Sequence, residues 1–317
     1  MGKKTDTQDN PETYEMVKKA LQVGYRHLDT AYGYGNEQAV GKAVRESGIP
    51  REEIFVTTKL TNEHHGCVEK GFQESLKALG ISYIDLYLIH WPQGNDPETG
   101  ETIPYGQSPT FTETWKAMEK LLDTGKVRSI GTDLDDYGGA GNRVSNFSIK
   151  NLEILLKEAK VVPAVNQVEA HPYLPEESLS AFCKSKGIVM TAYCPLGQPH
   201  GANLSPVLTD PLVKRLAEKY GKPEGTVLLS WAIQRGNWTA VPKTVNEKRM
   251  KDNFAADDMR ELPQIFTLED EDFSALSRVH EEPGKLLHLC DYGQGDIAKT
   301  RKIFGWTLED MGWDHLD

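Results

Sequence analysis

Residues 54–90, IFVTTKLTNEHHGCVEKGFQESLKALGISYIDLYLIH, decide the fold class. The run 54–60 is apolar and β-branched and closes on Lys59 and Leu60. The run 84–90 repeats that character and closes on His90. Between them Val68, Phe72, Leu76 and Leu79 recur at three- and four-residue spacing, which aligns them on one face of a helix. Gly80 stands where such a helix ends. A strand, a helix and a second strand form a βαβ unit, whose strands are parallel. Neither run alternates cleanly between polar and apolar residues, as expected of strands covered on both faces.

The same rhythm extends outward in both directions. Further strand-like runs lie at 25–29, 127–131, 162–168, 188–193 and 239–243. Trp115, Met118, Leu121 and Leu122 form another helical stripe, and Gly24, Gly125 and Gly187 close other helices. Repeated βα units build either a closed barrel or an open doubly wound sheet. An open dinucleotide-binding sheet needs GxGxxG after its first strand. No GxGxxG is present there, and Gly293-Gln294-Gly295 comes late and follows no strand. The pattern therefore predicts an α/β fold of the (β/α)8 TIM-barrel class, in one domain over 1–317. The barrel should occupy about 14–254, with a C-terminal helix and loop at about 267–317. Thr267 and Asp270 have the spacing of a capping box for that helix.

Composition bounds the function. The 317 residues carry a formal net charge of −11, which argues against a general affinity for nucleic acid or acidic membranes. No run of ~20 apolar residues is present for a membrane span, and residues 1–10 have no apolar core of a signal peptide. Cys67, Cys183, Cys194 and Cys290 are scattered without metal-ligand spacing, so they read as free thiols of a cytoplasmic protein without a metal. The sequons at Asn146, Asn203 and Asn237 read as chance matches.

The strand ends carry chemistry. Six of them bear Asp29, Lys59, His90, Asn166-Gln167, Tyr193 and Lys243. Singly, each has a structural explanation, such as a helix cap or a hydrogen-bonded core histidine. Together they are hard to assign to packing, because an unpaired buried polar group costs about 1–3 kcal/mol. In a (β/α)8 barrel this rim is the active-site face. Lys243, Lys248, Arg249 and Lys251 form a basic cluster in an acidic chain. A solvated helix face is the plain reading of such a cluster, but barrels also bind phosphate after their last strands.

Seven segments carry a family resemblance: HLDTAYGYGNE (27–37), TTKL (57–60), LYLIHWP (86–92), VSNF (144–147), VNQVEAHP (165–172), AYCPLG (192–197) and VPKTVNEKRMKDN (241–253). In type and order they resemble the aldo-keto reductase family, and in particular fungal aldose and glycerol-dehydrogenase-like reductases. The resemblance implies NADPH-dependent, reversible reduction of aldehydes or ketones, such as glyceraldehyde or an aldose, without a metal. It implies Tyr34 as proton donor, Lys59 as the charge that activates it, Asp29 as partner of Lys59, and His90 at the carbonyl oxygen. The spacing Asp-x4-Tyr-Gly-Asn-Glu favours Tyr34 over Tyr32. For NADPH/NADP+ it implies Tyr193 as the stacking platform and Ser145, Asn146 and Gln167 as carboxamide partners. Lys243, Thr244, Arg249 and Asn253 would hold the 2′-phosphate. Trp91 and Trp306, with Trp313, are the implied substrate-pocket aromatics. The partner is a small carbonyl compound, and the protein is expected to be a monomer or weak homo-oligomer.

Two departures from that family accompany the resemblance. The expected N-terminal hairpin and first barrel strand are not recognisable, since residues 1–3 lead almost directly into a helix at 13–23. A twelve-residue insert, TDLDDYGGAGNR (132–143), follows the fifth family strand and directly precedes Ser145 and Asn146. It is rich in Gly and Asp and reads as a loop. Alternatives are a catalytically impaired or NADP(H)-sensing reductase-like binding protein, and an isomerase or aldolase barrel that binds no NADPH.

Overall fold

The computed structural model describes residues 10–128, 143–198, 204–254, 266–290 and 300–313. Residues 132–142 of the insert lie outside that set. The chain divides into two compact units. The first is Met1–Asn166, Lys186–Ile188 and Gln294–Asp317; the second is Gln167–Ser185 and Val189–Gly293.

In the first unit, α1 (Pro11–Val23), α2 (Glu37–Glu46), α3 (Val68–Leu79), α4 (Phe111–Lys120) and α5 (Ile149–Glu158) alternate with strands β1 (His27–Asp29), β2 (Phe55–Leu60), β3 (Leu86–Ile89) and β4 (Arg143–Ser145). The strands neighbour one another in chain order, and β5 (Val165–Glu169) begins in this unit. From β1 to β4 the pairings are parallel: His27 lies against Phe55, Thr57 against Leu86, and Leu88 against Arg143. This is the succession of a (β/α)8 barrel, with seven parallel strands among the described residues. The predicted helix-ending glycines Gly24, Gly80, Gly125 and Gly187 all have positive φ.

Of the strand predicted at 127–131, residues 129–131 lie outside the described residues. Ile84 bridges Val127, whereas Leu88 pairs with Arg143. Four steps along one strand correspond to sixteen along the other, and the excess is the twelve residues of the insert. The parallel pairing with β3 continues at β4, where Ile89 lies against Val144. Ser145 and Asn146 are buried directly beyond.

Helices α2 and α3 approach closely at Gly41, where a Cβ would stand 1.8 Å from the carbonyl oxygen of Leu79. Gly41→Ala gains up to about 1 kcal/mol of helix propensity, but overpacking against backbone typically costs 1–3 kcal/mol and more in rigid contacts. A net loss of about 1–2 kcal/mol is expected, read as a lower urea midpoint.

The tail of this unit is a short hairpin, β8 (Lys302–Ile303) and β9 (Trp306–Thr307), followed by the single turn α12 (Leu308–Met311). Thr307 and Asp310 form a capping box at α12. Lys150 Nζ donates to the Glu309 carbonyl at 2.7 Å, and the buried Gln93 amide donates to the Ile303 carbonyl at 3.0 Å.

The second unit holds the rest of β5, then β6 (Val189–Tyr193) and β7 (Trp238–Val241), which neighbour in that order. Its helices are α6 (Glu177–Ser185), α7 (Pro206–Thr209), α8 (Pro211–Tyr220), α9 (Glu224–Gln234), α10 (Glu247–Phe254) and α11 (Asp270–Ser277). Val213, Leu216, Val227, Leu228, Trp231 and Leu276 form part of its core. The capping box predicted at Thr267 does not form: α11 starts at Asp270, with Glu269 in the cap position. Leu268 is buried and its N–H is taken by the Gln234 side chain at 2.9 Å, so the preceding chain is held off the helix entry.

Candidate active site

Four predicted residues converge in the first unit. Asp29 ends β1, and a 3-10 turn over Tyr32–Tyr34 follows it. Lys59 lies near the end of β2, two positions beyond the register partner of Asp29. His90 follows β3, and its N–H donates to the Leu60 carbonyl at 3.2 Å.

Lys59 is completely buried. An unpaired ammonium there would cost several kcal/mol. Its Nζ instead pairs with Asp29 Oδ1 at 2.5 Å and donates to the Thr30 carbonyl at 2.9 Å. Burial opposes the charge, yet Asp29 and Tyr34 outweigh it and raise the Lys59 pKa above its ordinary value. The Tyr34 ring centre lies 5.2 Å from this ammonium and 5.5 Å from the His90 ring. Burial, aided by the Lys59 charge, pushes His90 down to about 3, so its imidazole is neutral around neutrality.

The environment distinguishes the two tyrosines. Tyr32 packs edge-on against His64 at 5.3 Å. Burial and the carboxylate of Glu74 push its phenol up to about 12, the wrong direction for a proton donor. Tyr34 instead faces an ammonium and a neutral imidazole.

Ser145 and Asn146 join this set. The Asn146 amide donates to the His90 carbonyl at 2.9 Å and to Ser145 Oγ at 3.1 Å, from a left-handed backbone at φ 65°. Trp91 lies 6.5 Å from His90, 4.8 Å from Phe304 and 6.3 Å from Trp313. Trp306 is placed differently. Its indole donates to the Ile103 carbonyl at 2.8 Å, its ring meets Tyr105 at 4.9 Å, and it lines a cavity of about 240 Å³ with Phe111 and Ile154. The tail aromatics brought to Trp91 are thus Trp313 and Phe304. Phe304 carried no sequence signal, because it sits at φ 44° in a two-residue hairpin turn without periodicity.

The remaining predicted residues lie in the second unit. Gln167 is buried on β5, and Tyr193 ends β6, half-buried. Lys243 and Thr244 follow β7, while Arg249 and the buried Asn253 lie on α10. Asn246 Oδ1 accepts the Arg249 N–H at 3.0 Å and orders the start of that helix. Within the basic cluster Lys248 pairs with Asp252 and Lys251 with Glu247. Among the described residues the exposed Lys243 and Arg249 have no carboxylate partner. Two unneutralised cations near a helix N-terminus fit an anionic phosphate. The described residues hold no group of three or more His, Cys, Asp or Glu suited to a metal, and no helix long and apolar enough to cross a membrane.

Residues 1–278 match the sequence profile of the aldo/keto reductase family. The chain belongs to the aldo/keto reductase family. It is 42% identical over 290 residues to glycerol 2-dehydrogenase (NADP(+)) of Saccharomyces cerevisiae, covering 86% of this chain and 85% of that protein. It is 41% identical to aldehyde reductase YPR1 of the same yeast, covering 84% and 83%. A crystal structure of an aldo/keto reductase from Brucella melitensis is similar with a TM-score of 0.70 at 38% identity, covering 86% of this chain and 91% of that one. The expected oxidoreductase class and barrel fold are those of this aldo/keto reductase family.

Proposed function

We propose that this aldo/keto reductase reduces small aldehydes and ketones to alcohols with NADPH, with Tyr34 delivering the proton. The reading rests above all on the buried Lys59–Asp29 pair, which sets an ammonium 5.2 Å from the Tyr34 ring centre. Bound NADPH would supply the hydride to the carbonyl carbon. Tyr34 would hydrogen-bond the carbonyl oxygen and pass its proton to it as charge develops there. A phenol is a weak acid, with a reference pKa near 10. Lys59 compensates by stabilising the phenolate left behind, and Asp29 keeps Lys59 charged and aimed. Neutral His90 would orient the same oxygen by a hydrogen bond, without competing as a cation. Trp91, Phe304 and Trp313 offer an aromatic wall for the substrate's carbon skeleton.

In the same reading Ser145 and Asn146, with Gln167 and Tyr193, hold the nicotinamide. Lys243, Thr244, Arg249 and Asn253 hold the 2′-phosphate. The yeast relative's name, glycerol 2-dehydrogenase (NADP(+)), supports both the cofactor and a small polyol-forming substrate. The protein would work as a monomer or weak homo-oligomer. Loss of NADPH absorbance with a panel of aldehydes and short aldoses tests the activity, and no turnover with any of them would reject it.

Arg249→Ala tests the phosphate assignment. A hydrogen bond to a charged group contributes about 1.5–3 kcal/mol, so the Kd for NADPH should rise about 10–100-fold. NADH binding should stay within about twofold, because it lacks that phosphate. Equal losses for both cofactors would remove Arg249 from the 2′-phosphate site.

A further inference from the structure

The second unit contains a pair of thiols unrelated to carbonyl reduction. Cys194 directly follows Tyr193 at the end of β6, with a left-handed backbone at φ 49°. Cys290 lies 96 positions later in the chain, yet its Sγ is 2.8 Å from that of Cys194. Both are free thiols.

Their approach is built in. Glu169 on β5, itself fully buried, accepts the backbone N–H groups of Leu289 at 2.6 Å and Cys290 at 3.0 Å through one oxygen. Its other oxygen takes His288 Nδ1 at 2.9 Å. One carboxylate thereby fastens three consecutive residues to β5. The next residue after that strand, Ala170, donates its N–H to the carbonyl of Tyr193, the neighbour of Cys194, at 3.3 Å. Both sulfurs are therefore anchored at the end of a common strand, with little freedom to separate.

The spacing selects the chemistry. Two thiolates on one tetrahedral zinc, with bonds of about 2.3 Å, stand about 3.8 Å apart. At 2.8 Å these sulfurs are too close for that. A disulfide of about 2.05 Å needs less than about 1 Å of further approach. The two thiols are also unequal. Cys290 is buried, while Cys194 is partly exposed. The thiol hydrogen bond from Cys290 lowers the pKa of Cys194, and the same bond together with burial raises that of Cys290. The more exposed residue of the two thus carries the more readily ionised thiol.

We propose that Cys194 and Cys290 form a reversible dithiol–disulfide pair that hydrogen peroxide oxidises, with Cys194 attacked first and Cys290 resolving. The Cys194 thiolate attacks one peroxide oxygen; the O–O bond breaks, a sulfenic acid forms and, with a proton, one water leaves. The Cys290 sulfur then attacks the Cys194 sulfur. The S–S bond forms, the S–O bond breaks, and the hydroxyl departs as a second water with the Cys290 proton. The two sulfurs together lose two electrons, which reduce peroxide to water. Once joined, they fasten the strand end that bears Tyr193 to residues 288–290.

The test uses the full chain, fully reduced, then treated with hydrogen peroxide, alkylated and digested without reductant. Mass spectrometry should find the Cys194 and Cys290 peptides joined, Cys67 and Cys183 alkylated, and the link undone by dithiothreitol. Cys290→Ser should accumulate a dimedone adduct at Cys194 under the same treatment, and Cys194→Ser should show none at Cys290. Linkage involving Cys67 or Cys183, or oxidation of Cys194 to the sulfinic acid with no joined peptide, would overturn the pairing. A dimedone adduct at Cys290 in Cys194→Ser would overturn the order of attack.

Discussion

Tyr34→Phe is expected to lower kcat for aldehyde reduction by about 10²–10⁴-fold, the usual contribution of a positioned proton donor. The substitution removes one oxygen and keeps the ring that packs 5.5 Å from His90. Lys59 keeps its two other partners, Asp29 and the Thr30 carbonyl, so stability should change by about 1 kcal/mol or less. The Kd for NADPH should stay within about twofold, which separates lost proton transfer from lost cofactor binding. Lys59→Met makes the contrast. It abolishes the same activity but strands Asp29 beside an apolar chain, and breaking such a buried pair costs about 3–5 kcal/mol. Steady-state kinetics with urea melts of both variants distinguish the roles. Because burial and the Lys59 charge hold His90 near 3, no ionisation of His90 should bend the kcat profile between about pH 5 and 8. If Tyr34→Phe kept full activity, the donor would lie elsewhere. Tyr32, held up to about 12 beside Glu74, is a poor alternative.

The succession of parallel strands was legible because burial on both faces imposes an apolar run on each strand, and the helices between them carry their own period. Three of the four proposed catalytic residues were legible for a related reason: Asp29, Lys59 and His90 are polar groups at the ends of such runs, where packing alone would not put them, while Tyr34 lies in a turn and came from the family resemblance. Residues on elements without a period were not legible. Phe304 reaches Trp91 from a hairpin turn, and neighbouring Trp306 turns instead to Ile103 and Tyr105. Composition could not separate these two aromatics. The basic cluster needed side-chain pairing to resolve it, since Lys248 and Lys251 are spent on carboxylates one helical turn away while Lys243 and Arg249 are not. Cys194 and Cys290 meet across 96 positions that no local motif connects.

Glu169→Ala should cost about 3–5 kcal/mol of stability. The carboxylate accepts four hydrogen bonds, from His171, His288, Leu289 and Cys290, at 2.6 to 3.0 Å. Alanine leaves all four donors buried without their acceptor, and each unsatisfied group costs about 1–3 kcal/mol before relaxation. Glu169→Gln keeps an acceptor oxygen but loses the charge, so its cost should be smaller. Burial alone would raise the Glu169 pKa, but His288 and His171 outweigh it and hold the carboxyl well below the ordinary carboxylate range. The sign of the pH dependence follows. A carboxyl whose folded pKa is depressed contributes its full stability above the unfolded value, about 4.3, and loses it as the pH falls through the folded value. The gap between wild type and Glu169→Gln in urea midpoint should therefore be present at neutral pH and close in strongly acid solution, as Glu169 itself is protonated. A gap that was absent at neutral pH, or that persisted unchanged in strongly acid solution, would mean that the charge of Glu169 does not hold residues 288–290 to β5. The anchoring that brings the two thiols together would then rest on packing alone.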